Sequence, residues 1–246
     1  MKIIADTHTH TLMSGHAAST AMEHIMVAKQ KGLRFLAITD HTGIMPGSPN
    51  EVYFSTLCNS LPEEYDGVYL LRGCEANIID ANGTLDLPEW ILKRLDLVIA
   101  SIHSFVTAPM NFEECTRLWT AIAENPDVDV IGHCGEEGFK FDYEKVIPLF
   151  AKNGKIVEIN ASSFKNRPSC KENCMQIAKL CAKHGVPLAV SSDAHFAGNV
   201  GEVGMAVELL SANGIPEDAI LNADLKRFAE KLTEITGRSF DLKYFS

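Results

Sequence analysis

At 246 residues, with 46% hydrophobic and 22% charged residues, the chain can bury a large core, and nothing in its composition suggests a disordered or fibrous protein. Its 22 Lys+Arg against 32 Asp+Glu give a net charge of −10, which argues against a nucleic-acid binder, because such affinity comes mainly from cations. The start of the chain has no apolar segment of signal-peptide length, and no run of about 18 apolar residues occurs, so the expectation is a cytoplasmic protein without membrane association. The seven cysteines are odd in number and form no CxxC pair, as expected of reduced thiols.

In chain order, short Ile/Val/Leu-rich runs at 2–5, 35–39, 68–72, 95–101, 128–132, 155–160 and 187–191 predict strands. Helical patterns lie between them at 20–31, 51–61, 88–94, 112–124, 143–153 and 171–184, and two more follow at 202–212 and 224–236. Several end on a glycine that can close a helix in the left-handed conformation, as at Gly32, Gly154 and Gly185. Asn82-Gly83 marks a tight turn that extends the third strand as a small hairpin, and 42–50 reads as a loop. Cys170, Cys174 and Cys181 fall at helical spacing and read as a face packed on the core. With no linker or repeat, the expectation is a single domain over 1–246: an α/β protein whose seven βα units close into a distorted TIM-like (β/α)7 barrel. An open doubly wound sheet is the alternative.

Such barrels build their sites at the C-terminal ends of the strands. Seven of the nine histidines sit there: His8, His10, His16, His41, His103, His133 and His195, joined by Glu75 after the third run and Asp193 after the seventh. Any one of these histidines alone is an ordinary polar residue. Gathered at the same end of successive strands, they point to a metal. Alternation along an extended strand puts Asp6, His8 and His10 on one face. Asp6 and Asp40 could orient ligand histidines through the second ring nitrogen, and Glu158, Asn160 and Ser162 alternate on one strand face that could reach the pocket. Lys165 and Arg167, read as part of the loop after the sixth strand, could hold a substrate phosphate. His24 and His184 lie in helices and read as structural.

Nine ligand candidates are too many for one zinc site of about four ligands. Three ions accommodate them if Glu75 is shared, with positions left for water and substrate. His and carboxylate ligands suit Zn²⁺, with Mn²⁺ or Fe²⁺ also compatible. Clustered divalent ions clamp the attacking and leaving oxygens of a displacement and turn water into hydroxide near neutral pH. Two carboxylates against three dications leave a positive pocket, so a small phosphate ester is the natural substrate.

Asp6-Thr7-His8-Thr9-His10, Thr39-Asp40-His41, Arg72-Gly73-Cys74-Glu75, Ser101-Ile102-His103, Gly132-His133 and Ser192-Asp193-Ala194-His195 resemble the motifs of the PHP (polymerase and histidinol phosphatase) domain, with the YcdX-like stand-alone phosphoesterases the nearest group. The resemblance implies a distorted (β/α)7 barrel with a trinuclear site: one ion on His8, His10, Glu75 and Asp193, a second on Glu75, His103 and His133, a third on His16, His41 and His195. The leaving-group acid is not assigned; Asp193, His195 or a metal-bound water could serve. The competing readings are an amidohydrolase-type hydrolase, a metal-dependent nuclease and a non-catalytic metal-binding module. Self-association into a homo-oligomer is left open.

Overall fold

The computed structural model describes residues 1–242, which form a parallel sheet wound into a nearly closed barrel with helices outside it. The strands are β1 (Ala5–Asp6), β2 (Phe35–Ile38), β4 (Val68–Asn77), β5 (Leu97–Ser101), β6 (Val130–Ile131), β7 (Ile156–Asn160) and β8 (Leu188–Ser191), each hydrogen-bonded in parallel to the next. A two-residue strand, β3 (Glu64–Tyr65), pairs antiparallel with the start of β4. The seven runs read as strands are therefore the barrel, as expected, and the β3–β4 hairpin is an addition that the sequence reading did not contain. Asp66 and Gly67 both take positive φ (53° and 83°) and form its turn. The expected turn at Asn82-Gly83 is also present: Gly83 takes positive φ (76°), and the antiparallel Ile78–Leu85 bridge with the Ile79 N–H donating to the Thr84 carbonyl (2.9 Å) makes a small hairpin beyond β4.

The seam between β8 and β1 carries no regular ladder. At its upper end the His10 N–H donates to the Ala194 carbonyl (2.9 Å) beside the Thr9–Ala194 bridge. Lower down Asn222 replaces the missing ladder: its amide nitrogen donates to the carbonyls of Ala5 (2.9 Å) and Val190 (2.7 Å), and its side-chain oxygen accepts from the Val190 N–H (3.0 Å). A buried amide saturated this way takes the place of strand pairing.

Helices α1 (Ala21–Gln30), α2 (Glu51–Ser60), α4 (Phe112–Glu124), α5 (Tyr143–Lys152), α7 (Lys171–His184), α8 (Gly204–Ala212) and α9 (Leu225–Thr236) match the predicted segments, as does the short α3 (Glu89–Leu92). Caps set their starts: Thr20 with Glu23, and Asn111 with Glu114, form capping boxes. One helix differs from expectation. Residues read as a loop after the sixth strand form α6 (Ala161–Asn166), capped by Asn160 accepting from the Ser163 N–H, so Lys165 stands on a helix and Arg167 at its end.

Every barrel strand sends at least one side chain inward to a common core: Ala5, Phe35, Leu71, Leu97, Ile99, Val130, Ile156 and Ala189. Phe228 and Leu232 of α9 close this core from below. Moving up the same strands in steps of two changes the chemistry from apolar to polar, since Leu71 leads to Glu75 and Ile156 to Glu158.

Candidate metal centre

Glu75 stands at the middle of the upper layer, fully buried. Its Oε1 lies 2.9 Å from His133 Nε2 and 3.3 Å from His103 Nε2, while its Oε2 lies 2.7 Å from His41 Nδ1, 3.3 Å from His8 Nε2 and 3.4 Å from His10 Nε2. One carboxylate therefore faces five imidazoles. Asp193 Oδ1 approaches His10 Nε2 at 3.2 Å and His8 Nε2 at 3.8 Å. His195 and His16 meet through their Nε2 atoms at 3.0 Å, with the His16 and His41 rings 5.0 Å apart. All nine predicted residues are thus brought together at one end of the barrel.

One of the tight groupings falls within a set the resemblance implies, and two cut across the implied sets. Ligand atoms lie within 4.8 Å of one another in three sets: His8, His10 and Glu75; His41, Glu75 and His103; and His10, His41 and His195. Glu75, His41 and His10 belong to two sets each, and His16 is more exposed and belongs to none.

Several side chains behind the cluster fix which nitrogen faces inward. Glu158 Oε1 accepts from His8 Nδ1 (2.6 Å), Asn77 Oδ1 from His103 Nδ1 (2.8 Å) and Ser14 Oγ from His10 Nδ1 (3.0 Å), with Ser14 in turn donating to Asp40 (2.7 Å). Each of these rings then turns its Nε2 to the centre. Glu136 lies 3.3 Å from His133 Nδ1 and is held by Arg167, whose Nη2 donates to Ser163 Oγ (2.8 Å). Asp40 thus acts on His10 through Ser14. Asp6 does not orient a ring; it accepts from Ser192, Gly201 and, at 3.5 Å, the His8 N–H, tying strand ends together. Strict alternation fails here because regular pairing of β1 stops at Asp6: Ala5 is the inward residue, and the irregular backbone beyond re-aims His8 and His10.

Two positions carry unusual backbone. His133 has φ 22° and Asp193 φ 53°, sparsely populated for non-glycine residues and held by the surrounding packing. Before His133, Gly132 is packed so closely that an added Cβ would lie 2.0 Å from Ser101 Oγ. Ser14, Asn77 and Glu136 escaped the sequence reading. Only Glu136, three residues past His133, had a visible signal; the partner of Asn77 is 26 residues away.

The donor set fits a cation. His8 and His10 bring their Nε2 atoms to 2.9 Å, and their other nitrogens already donate outward, so a proton or a metal must separate the two lone pairs. Burial alone would lower the His8 pKa, yet Glu158, Glu75 and Asp193 hold it well above its ordinary value; burial, then His41, holds His10 well below. Burial would raise the Glu75 carboxyl, but His8, His103 and His41 keep it well below the usual carboxylate range. His41 Nδ1 and Glu75 Oε2, though 2.7 Å apart, are not aligned as a hydrogen bond, and neither has a hydrogen-bond partner among the described residues. Two buried polar atoms left this way cost free energy unless an ion satisfies both.

The chain matches the PHP domain model over residues 6–162 and the PHP-associated model over 171–227. It is 45% identical over 236 residues to a probable phosphatase of Thermoanaerobacter sp. (strain X514), covering 95% of this chain and 96% of that protein. A probable phosphatase of Clostridium botulinum (strain Langeland / NCTC 10281 / Type F) is 40% identical over 232 residues, covering 94% and 95%. Among solved structures, histidinol phosphate phosphatase from Lactococcus lactis subsp. lactis Il1403, complexed with zinc, L-histidinol and phosphate, superposes with a TM-score of 0.61 at 18% identity, covering 86% of this chain and 94% of that one. With the barrel, the ordered motifs and these matches together, the chain belongs to the PHP-domain family.

Proposed function

We propose that the protein is a metal-dependent phosphatase that hydrolyses a small phosphomonoester, with three divalent ions, zinc by preference, as its cofactors. The observation that carries the metal is the pair of buried polar atoms, His41 Nδ1 and Glu75 Oε2, that lie without a hydrogen-bond partner among the described residues at the centre of a histidine ring. The phosphatase relatives and the zinc- and phosphate-bound structural neighbour support the choice of phosphate ester. His8, His10, Glu75 and Asp193 would hold one ion, Glu75, His103 and His133 a second, and His16, His41 and His195 a third. The overlap of the observed sets supports a shared cluster rather than separate sites. Residues 1–246 are proposed to act as one unit, since Asn222 from the PHP-associated segment closes the barrel seam.

When bound, the ions supply positive charge against the developing phosphoryl charge and make water acidic enough to attack near neutral pH. The chain's own groups do the rest. Glu158, Ser14 with Asp40, Asn77, and Glu136 with Arg167 lock the imidazoles in place before substrate arrives. The proton for the departing oxygen would come from His195, at the cavity edge, or from Asp193, half-buried and held by Asn160 (3.1 Å). The test is phosphate release from a panel of metabolite phosphates by protein of known metal content, with His41→Ala as control. Hydrolysis that follows metal content and is lost in the variant is expected; equal rates in both would sink the reading.

A further inference from the structure

Two cavities open side by side at the barrel mouth. The first, about 550 Å³, has the histidines and Glu75 as its floor and Met45, Pro46 and Phe105 along one wall. The second, about 560 Å³, is lined by Ser162, Lys165, Asn199, Glu202 and Met205. Asn166, Arg167, Asp193 and His195 form the wall between them.

The two cations at the end of α6 are differently placed. Arg167 is committed to Glu136 and Ser163, which ties it to His133 and makes it a positioning residue. Lys165 is exposed, has no hydrogen bond or ion pair among the described residues, and lines the second cavity without reaching the first. Glu202, which could have neutralised it, is paired with Lys31. With Asp193 turned to the cluster, the second cavity is left with the positive charge of Lys165, and the Asn199 amide, which has no side-chain hydrogen bond among the described residues, lines the same cavity. A site for the scissile phosphate alone has no use for that charge, because Lys165 does not line the cavity over the cluster.

We propose that the second cavity receives a second anionic group of the substrate, so that the preferred substrates are small phosphomonoesters carrying another phosphate or a carboxylate. This rests on the phosphatase reading. Lys165 is the specificity-determining residue, and the first cavity keeps the group that is cleaved.

The test uses metal-loaded parent, Lys165→Met and Lys165→Arg. Propylphosphonate and trimethylene bisphosphonate, which cannot be cleaved, are titrated calorimetrically, and propyl phosphate and trimethylene bisphosphate are compared as substrates. The parent is expected to bind the doubly anionic probe about tenfold or more tightly than the singly anionic one, the contribution of one charge-assisted contact. Lys165→Met should lose most of that difference and raise KM selectively for the bisphosphate, and Lys165→Arg should retain it. Equal affinities in the parent, or equal weakening of both probes in Lys165→Met, would overturn the proposal. Discrimination in binding with neither ester cleaved would overturn the phosphatase reading alone; cleavage of both without discrimination would overturn only the second subsite.

Discussion

The two ends of the barrel carry buried charge in opposite ways, and β4 runs through both. Near its lower end Arg72 forms a fork on Asp96, at 2.7 Å through Nε and 2.8 Å through Nη2, and Arg238 adds a third contact at 2.9 Å. Phe35 packs above Phe228 and Phe240 edge-on in the same region. Three residues further along the strand, Glu75 has five imidazoles around it and an oxygen without an aligned donor. At the lower end each carboxylate oxygen of Asp96 has a guanidinium partner, whereas the upper end is built to be completed by an ion. Pairing of the first kind supports the fold, and the second kind reserves binding energy for a ligand.

The sharpest way to break this contrast is at the upper end. Glu75→Ala should lower kcat/KM by at least about 10³-fold, the scale seen when one member of a catalytic unit is lost. Chelation should lower the unfolding temperature of the parent and leave the variant unmoved, since an ion that binds only the native state stabilises it by mass action. Parent-like hydrolysis by Glu75→Ala would remove the carboxylate from the mechanism.

At the lower end the expected effect is on stability instead. Asp96→Ala leaves two half-buried guanidinium groups without the carboxylate they share and should cost about 2 kcal/mol in denaturant unfolding, with kcat per folded molecule retained. Burial would raise the Asp96 pKa, but hydrogen bonds from Arg72 hold it below the ordinary value. A depressed folded-state pKa means that the stabilisation is complete above the unfolded carboxylate pKa and fades as pH falls through the folded one. The gap between parent and Asp96→Asn should therefore be constant near neutrality and shrink below about pH 4. A pH-independent gap would contradict the assignment.

The smallest effect is expected one step behind the cluster. Glu158→Gln keeps the shape but weakens the acceptor for His8 Nδ1 and the brace on the His133 N–H (2.7 Å). Metal affinity, read by competition with a chromophoric chelator, should drop about 10- to 100-fold, and kcat should recover at saturating metal. Unchanged affinity would make Glu158 a packing residue.

Much of the barrel was legible because burial imposes simple patterns: the apolar runs at 35–39 and 155–160 can only be covered strands, and Thr20 or Asn111 followed three residues later by Glu is a readable helix start. The nine candidate ligands were legible for a related reason, since strand ends in such a fold all face one mouth. Helix α6 was not legible, because Ser162, Ser163, Lys165 and Asn166 give it little apolar periodicity, and its start depends on the Asn160 side chain turning back on the Ser163 N–H. The β3 hairpin went unread although Asp66-Gly67 is as clear a turn signal as Asn82-Gly83, because the short exposed run Glu64-Tyr65 before it has no apolar pattern of its own.

From the sequence alone come the seven strands, the end of the barrel that carries chemistry, and the residue types that gather there, because periodicity and residue chemistry are local properties. Only the tertiary structure decides that Asn222 stitches the seam, that Asp40 acts through Ser14 while Asp6 ties strand ends, that Arg167 is bound to Glu136, and that Lys165 faces a separate cavity. Each of these depends on a partner brought close by barrel closure or on a backbone turn such as the one at His133, and neither distance nor direction across the fold is written in the spacing of residues along the chain.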